Sequence, residues 1–161
     1  MAKAARTMDA IAPPLPPTGL FQGGAHLFPL RVYYEDTDVS GMVYHANYLR
    51  WFERARSDLL RLLGIEQGAA YDEGLGNYTV AEITIRYLAP SRLDDAVTIA
   101  TTALELGAAS VRLRQRAMRG ETLLADATIR VGFIAPDGRP RRQPAAWRAA
   151  FDQLLIAKDA A

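Results

Sequence analysis

The apolar positions of this chain change period several times, and each change marks an element. From His26 to Tyr34 they alternate, with Leu27, Pro29, Arg31 and Tyr33 on one side and Phe28, Leu30, Val32 and Tyr34 on the other. That is the period of a half-buried strand. Pro29 cannot donate to a ladder, which predicts an edge position or a bulge. From about Ala46 to Leu63 the period lengthens, and Tyr48, Trp51, Phe52, Ala55, Leu59, Leu62 and Leu63 recur at helical spacing. Arg50, Glu53, Arg54, Ser57, Asp58 and Arg61 fill the opposite side, and Gly64 is placed to end the helix. The pattern predicts one helix of about five turns whose aromatic and leucine face needs a broad apolar surface to cover it.

After a loop at 65–76 come four runs rich in strand formers: Asn77 to Tyr87, Ala96 to Leu106, Ala109 to Arg119 and Thr122 to Ala135. Turn residues separate them, at Ala89-Pro90-Ser91, at Gly107, at Arg119-Gly120-Glu121 and finally at Pro136-Asp137-Gly138. The last three runs are joined too tightly for crossover helices, so they must be antiparallel neighbours. The expected fold class is α+β: a curved, mostly antiparallel sheet of about five strands wrapped around one long central helix. At the end, Pro144 followed by Trp147, Phe151, Leu154 and Leu155 predicts a short amphipathic helix docking on the body, with a partner-binding helix as the alternative. No internal repeat is present at the periods of solenoid arrays.

Residues 1–25 break the pattern. They hold Lys3 and Arg6, but no apolar run follows, only Ala-Pro-Pro-Leu-Pro-Pro at 12–17 and Gly-Gly at 23–24. This is not a secretory signal. The stretch buries too little apolar surface to offset its ordering entropy, so it reads as a flexible tail preceding a single domain over 26–157.

Composition narrows the classes. With 161 residues, 50% of them apolar and 23% charged, the chain has room for one domain with a real core. Nineteen basic against eighteen acidic residues lack the basic footprint of a protein that binds nucleic acid. The absence of cysteine excludes disulfides, thiolate metal sites and a cysteine nucleophile, and fits a cytoplasmic setting. No stretch approaches the ~18 consecutive apolar residues of a membrane span.

The candidate chemistry lies in residues 33–56. Here Tyr-Tyr-Glu-Asp-Thr-Asp-Val-Ser-Gly-Met-Val-Tyr-His-Ala-Asn-Tyr runs into Leu-Arg-Trp-Phe-Glu-Arg-Ala-Arg. The block sets a carboxylate at a strand end, a glycine turn after it, and a histidine where the long helix begins, which is an acid/base group beside a helix N-terminus. Asp38 can deliver or activate a nucleophile. The first helical N–H groups, which lack intrahelical acceptors, can hold a developing oxyanion. The bland role for Asp38 is a turn or N-cap aspartate. Asp36 reads best as a residue that orders the turn. Two histidines exist in the whole chain, and His45 lies seven residues after the candidate acid; its imidazole could position the carbonyl or water, or protonate a leaving thiolate. Asn47 reads as a helix cap before an orienter of His45. Glu53 reads equally as a carboxylate supporting the site or as an ion-pair partner on the helix surface.

This block resembles the hotdog-fold acyl-CoA thioesterases of the 4-hydroxybenzoyl-CoA thioesterase type, and within them the branch associated with the Tol-Pal envelope system. The resemblance covers about residues 27–140. It implies a hotdog fold, hydrolysis of an acyl-CoA to free acid and CoA without metal or other cofactor, and a homodimer or dimer of dimers. The family's catalytic acid is the second of the Asp-x-Asp pair and maps to Asp38; its oxyanion donor, a backbone amide at the helix start, maps to His45. An acyl-carrier protein is a possible alternative carrier of the acyl group.

Coenzyme A carries phosphates, so its recognition calls for basic side chains or backbone amides. Ser110, Arg112, Arg114 and Arg116 alternate along one strand and point one way. The basic cluster that related thioesterases place just before this serine is replaced by Gly107-Ala108-Ala109, and a solvated sheet face explains the arginines equally well. Tyr44, Asn47, Ser110 and Arg112 are the candidate substrate contacts. A calcium loop is rejected: Asp36, Asp38, Ser40 and Gly41 fit its first half, but the closing bidentate glutamate is replaced by Asn47. Two other functions fit the same fold, a hydratase acting on an enoyl thioester and a non-catalytic acyl-carrier or envelope-complex binding module. The presence of both Asp38 and His45 favours the thioesterase.

Overall fold

In the computed structural model, residues 13–156 are described. Six strands make one antiparallel sheet: β1 (Leu20–Gln22), β2 (Ala25–Arg31), β3 (Asn77–Tyr87), β4 (Ala96–Leu106), β5 (Ser110–Arg119) and β6 (Thr122–Ile134). Their order in the sheet is β1-β2-β4-β5-β6-β3. The three tightly joined runs are neighbours, as their short turns require. β2 lies beside β4, and β3 pairs with β6 and leaves its other edge open. Irregularities in register in β3, β4 and the β5–β6 pair add the local bends that curve the sheet. Pro29 sits opposite Thr98, beyond the reach of the short β1, so its missing N–H faces an open edge.

The helix α1 (Asn47–Leu62) lies across the concave face. Trp51, Phe52, Ala55 and Leu59 are fully buried in one core with Ile99 of β4, Val111 of β5 and Ile129 of β6. Burial of each large side chain contributes on the order of 1.5–3 kcal/mol. The helix ends as its sequence dictates. Gly64 takes φ +73°, Ile65 N–H donates to the Leu60 carbonyl at 2.8 Å and Gly64 N–H to Arg61 at 3.0 Å, the pair of bonds that closes a helix through a left-handed residue. Leu62, assigned to the apolar face by its spacing, is exposed, and Leu60 is buried instead.

Three further corrections concern surfaces. The expected boundary of the tail at residue 25 falls too late, because Leu20–Gln22 pairs with Ala25–Leu27 and the Gly23-Gly24 pair is the turn of that hairpin. A strand of three residues is too short to show alternation. Residues 1–12 lie outside the described residues. Asp58, placed on the solvated side of α1, is buried: the arm before β1 crosses it, with Thr18 Oγ1 and Gly19 N–H each donating to its carboxylate at 2.8 Å. On the other side His26 Nε2 approaches it to 2.8 Å, and the imidazole is fully buried. The loop at 65–76 contains a short helix, α2 (Gln67–Asp72).

The C-terminal segment docks on its own body. α3 (Ala145–Ala150) and the turn after it bury Phe151 and Leu154, and Trp147 packs edge-on to Phe133 at 5.8 Å between ring centres. These side chains are thereby used internally, against the partner-binding alternative; Leu155 is the exception and is exposed. No described helix is long and apolar enough to cross a membrane.

Candidate active site

The turn that carries Asp38 is built by its own sequence. Gly41, at φ +75°, lets its N–H donate to the Asp38 carbonyl at 2.9 Å, and Asp38 N–H reaches Met42 at 2.9 Å. The Asp38 carboxylate accepts from Ser40 N–H at 2.8 Å and from the Ser40 hydroxyl. These bonds, the hydroxyl's first, hold the Asp38 carboxyl below the ordinary carboxylate range, and His45 adds a smaller electrostatic pull in the same direction. The group is therefore an exposed carboxylate, ionised at neutral pH and available to accept a proton or to attack.

Asp36 is the buried member of the acidic pair. Its carboxylate accepts Tyr33 N–H at 2.7 Å, and its carbonyl accepts both Tyr44 N–H at 2.8 Å and the Asn47 side-chain amide at 2.9 Å. The residue that orders the turn is thus tied to the start of α1. Asn47 is buried, and its side-chain amide donates to the Asp36 carbonyl and approaches the Asp36 carboxylate. It also makes no side-chain cap, since α1 begins without one. The Asn47 and Leu49 amides donate instead to the Tyr44 and Ala46 carbonyls at 2.9 and 3.1 Å, while the His45 amide just ahead of them has no acceptor among the described residues, which is what an oxyanion donor needs.

His45 is exposed just before α1, its ring against Tyr44 at 4.5 Å. It lines a cleft of about 320 Å³ with Met42, Val43, Tyr48 and Tyr87 and the stretch from Leu88 to Pro90. Asp38 lines a second depression with Tyr34, Thr37 and Leu93, and the turn at 38–43 contributes to both. Tyr44 is half exposed beside His45 and lines neither depression.

Ser110 and Arg112 do not join this site within one chain. Ser110 pairs with Gly132 on β6, while Tyr87, beside His45, pairs with Ala125 on the same strand. Seven residues of strand separate them, roughly 23 Å at ~3.3 Å per residue. The alternation of Ser110, Arg112, Arg114 and Arg116 onto one face is observed, but two of these arginines are engaged. Arg114 makes a two-point pair with Asp126 at 2.7 and 3.0 Å, and Arg112 reaches Glu105 at 3.7 Å. Glu53 pairs with Arg56 one turn along α1, as its ion-pair reading required. Arg56 itself is buried and donates to Gln115 Oε1 at 2.8 Å. The Gln115 amide in turn serves the Phe52 carbonyl and Thr101. This polar chain through the core has no local signal: alternation puts Gln115 on the buried face with Val111, Leu113 and Ala117, but only the packing of α1 on the sheet brings Arg56 to it.

Sequence reasoning also missed Tyr48, Tyr87 and Ser91. Tyr87 and Ser91 reach the helix start from the end of β3 and the loop after it and carry no local motif, while Tyr48 reads from its spacing only as part of the apolar face of α1.

The chain is similar to known thioesterases. The family profile described as the thioesterase-like superfamily matches residues 32–155. An acyl-CoA thioesterase, YbgC, of Haemophilus influenzae is 39% identical over 128 residues, 79% of this chain and 94% of the relative. The acyl-CoA thioester hydrolase YbgC of Escherichia coli O6:H1 is 40% identical, over 78% of this chain and 95% of its own. Among solved structures, a probable thioesterase from Bartonella henselae superimposes with a TM-score of 0.71 at 36% identity, covering 74% of this chain and 99% of that one.

Proposed function

The chain belongs to the thioesterase-like superfamily, and from that premise we propose that it is an acyl-CoA thioester hydrolase whose reacting centre is Asp38 at the start of α1. The observation that carries the reading is an ionised carboxylate on a rigid turn beside a helix start that has no side-chain cap. In the general-base route, Asp38 takes a proton from water as the water oxygen attacks the thioester carbonyl. The oxyanion is held by the His45 backbone amide, and collapse of the tetrahedral intermediate breaks the C–S bond. The leaving thiolate takes a proton from His45 or from protonated Asp38. In the nucleophilic route, the Asp38 carboxylate attacks the thioester carbonyl, the C–S bond breaks to expel the thiolate and leave a mixed anhydride, and water then cleaves the anhydride to the free acid and the Asp38 carboxylate. The wording of residues 33–56 supports the Tol-Pal-associated branch and, with the absence of cysteine, a cytoplasmic enzyme.

The direct test is release of free thiol from acetyl-, butyryl-, octanoyl-, palmitoyl- and benzoyl-CoA, with acyl-carrier-protein thioesters run in parallel. Turnover of at least one thioester is expected. Binding of these thioesters with no hydrolysis of any would favour the non-catalytic binding module.

The working form is a homodimer with the active site completed at the subunit boundary. β3 is an edge strand of eleven residues with Val80, Tyr87 and other side chains exposed, a long unpaired edge of the kind that invites a second chain. The separation of Ser110 and Arg112 from Asp38 points the same way, because only another copy could bring such contacts to the substrate. Light scattering during turnover should give twice the monomer mass or a multiple of it. A stable, active monomer would defeat this part of the proposal.

A further inference from the structure

The helix start is held from two sides. Asp36 and Asn47 hold it through Tyr44 and the first turn. The other hold comes from the last residue of β3, where the Tyr87 hydroxyl donates to the His45 carbonyl at 2.9 Å. The Tyr87 ring stands edge-on to the His45 imidazole, with centres 6.0 Å apart, and to Tyr48 at 5.6 Å. Tyr48 is fixed in turn by a 2.8 Å hydrogen bond to the Ser91 hydroxyl, and the Ser91 carbonyl accepts Val43 N–H at 2.9 Å. One wall of the cleft is therefore tied at both ends of the 43–45 segment.

Packing alone does not call for a phenol at position 87, since a phenylalanine would present the same ring to His45 and Tyr48. The hydroxyl is used on a backbone carbonyl two residues before α1 begins, where helical hydrogen bonding does not yet fix the chain. Burial, reinforced by Tyr48 beside it, raises the Tyr87 phenol above its ordinary value, so it is protonated and a donor at neutral pH.

We propose that Tyr87 is a positioning residue for hydrolysis: its hydroxyl fixes the His45–Ala46 peptide through the His45 carbonyl, and so restrains the backbone rotation at His45 that would swing the adjoining His45 amide away from the reacting carbonyl. The inference rests on the reading of Asp38 and His45 as the reacting centre. It differs from a wall or packing role in acting on kcat through the backbone. An oxyanion donor must be aimed before the reaction, and a peptide free to rock loses part of that aim.

The test is steady-state kinetics of Tyr87→Phe on whichever of the acyl-CoAs above turns over fastest, with melting curves and with Asp38→Asn alongside. The expected result is a roughly fivefold fall in kcat, the fold-change equivalent of the ~1 kcal/mol of one neutral hydrogen bond, with KM within about twofold and a melting temperature lowered by no more than about 4 °C. Because the bond is to backbone, the same factor should appear when Tyr87→Phe is added to His45→Ala. Wild-type kcat in Tyr87→Phe, or a loss confined to KM or to melting temperature, overturns the inference while an inactive Asp38→Asn leaves the site intact. Loss of the effect in the His45→Ala background overturns it too, since the hydroxyl would then act through the imidazole. Full activity in Asp38→Asn instead removes the reading on which the inference rests.

Discussion

Asp38→Asn should lower kcat by roughly 10²-fold or more, the scale of losing an acid/base group, with substrate binding and folding largely preserved. Asparagine retains an oxygen that can still accept from Ser40, so the turn should survive the change. Asp36→Asn should cost much less, because the buried Asp36 serves Tyr33 and the helix start and does not face either cleft. His45→Ala should fall between the two, since it removes the imidazole and keeps the backbone amide. Near-wild-type turnover by a correctly folded Asp38→Asn protein sinks the mechanism. The pH profile supplies a second check. The Ser40 hydrogen bonds hold the Asp38 carboxyl down, so its ionised form persists as the pH falls. No loss of kcat/KM assignable to Asp38 should appear until the pH drops below the usual carboxylate range, about 4. Single-turnover hydrolysis in heavy-oxygen water then divides the two routes: label in Asp38 marks an anhydride, label confined to the product acid marks water activated by the carboxylate.

The largest effect on stability is expected far from that turn, at Asp58. Its carboxylate takes three hydrogen bonds, from Thr18, Gly19 and the buried His26, whose Nδ1 already has no partner among the described residues. Asp58→Ala would leave that imidazole buried with both nitrogens unpaired and would free the arm. The cost should be about 3 kcal/mol, on the order of 10 °C in Tm for a chain of this length. Deleting residues 1–22 should reproduce much of the loss, because it removes two of the three donors and β1. The sign of the pH dependence follows from the carboxyl. Burial pushes it up, but the bonds from His26, Gly19 and Thr18 outweigh burial and leave it below its ordinary value. This stabilisation is therefore complete above about pH 4, where the unfolded carboxyl is ionised, and is lost as the pH falls through the lower folded-state value. An Asp58→Ala protein that melts with the wild type would show that the arm contributes nothing.

The sequence by itself determined whatever depends on local periodicity and turn chemistry. The extents of β3 and β4 follow from runs of strand formers ended by turn residues, and the length of α1 from the spacing of Tyr48, Trp51, Phe52, Ala55 and Leu59 up to Gly64. The antiparallel order of the last three strands follows from connections too short to cross over. Asp38 and His45 are legible as candidates because the whole turn from strand end to helix start is contiguous, so seven residues of chain separate them. Only the tertiary structure decided what depends on distant segments meeting. Asp58 looks like a surface residue of α1 until the arm covers it, and Gln115, on the core face of β5, looks like an unpaired amide until Arg56 reaches it from the helix. Asn47 looks like a cap or a ligand until the Asp36 carbonyl claims its amide. Ser110 and Arg112 share a face with nothing in the motif, since strand register, which no single run encodes, sets them seven residues along β6 from Tyr87. A hydrogen bond between positions 42 residues apart, such as Tyr87 to His45, leaves no trace in either local pattern; it exists because packing of the helix on the sheet brings those two ends together.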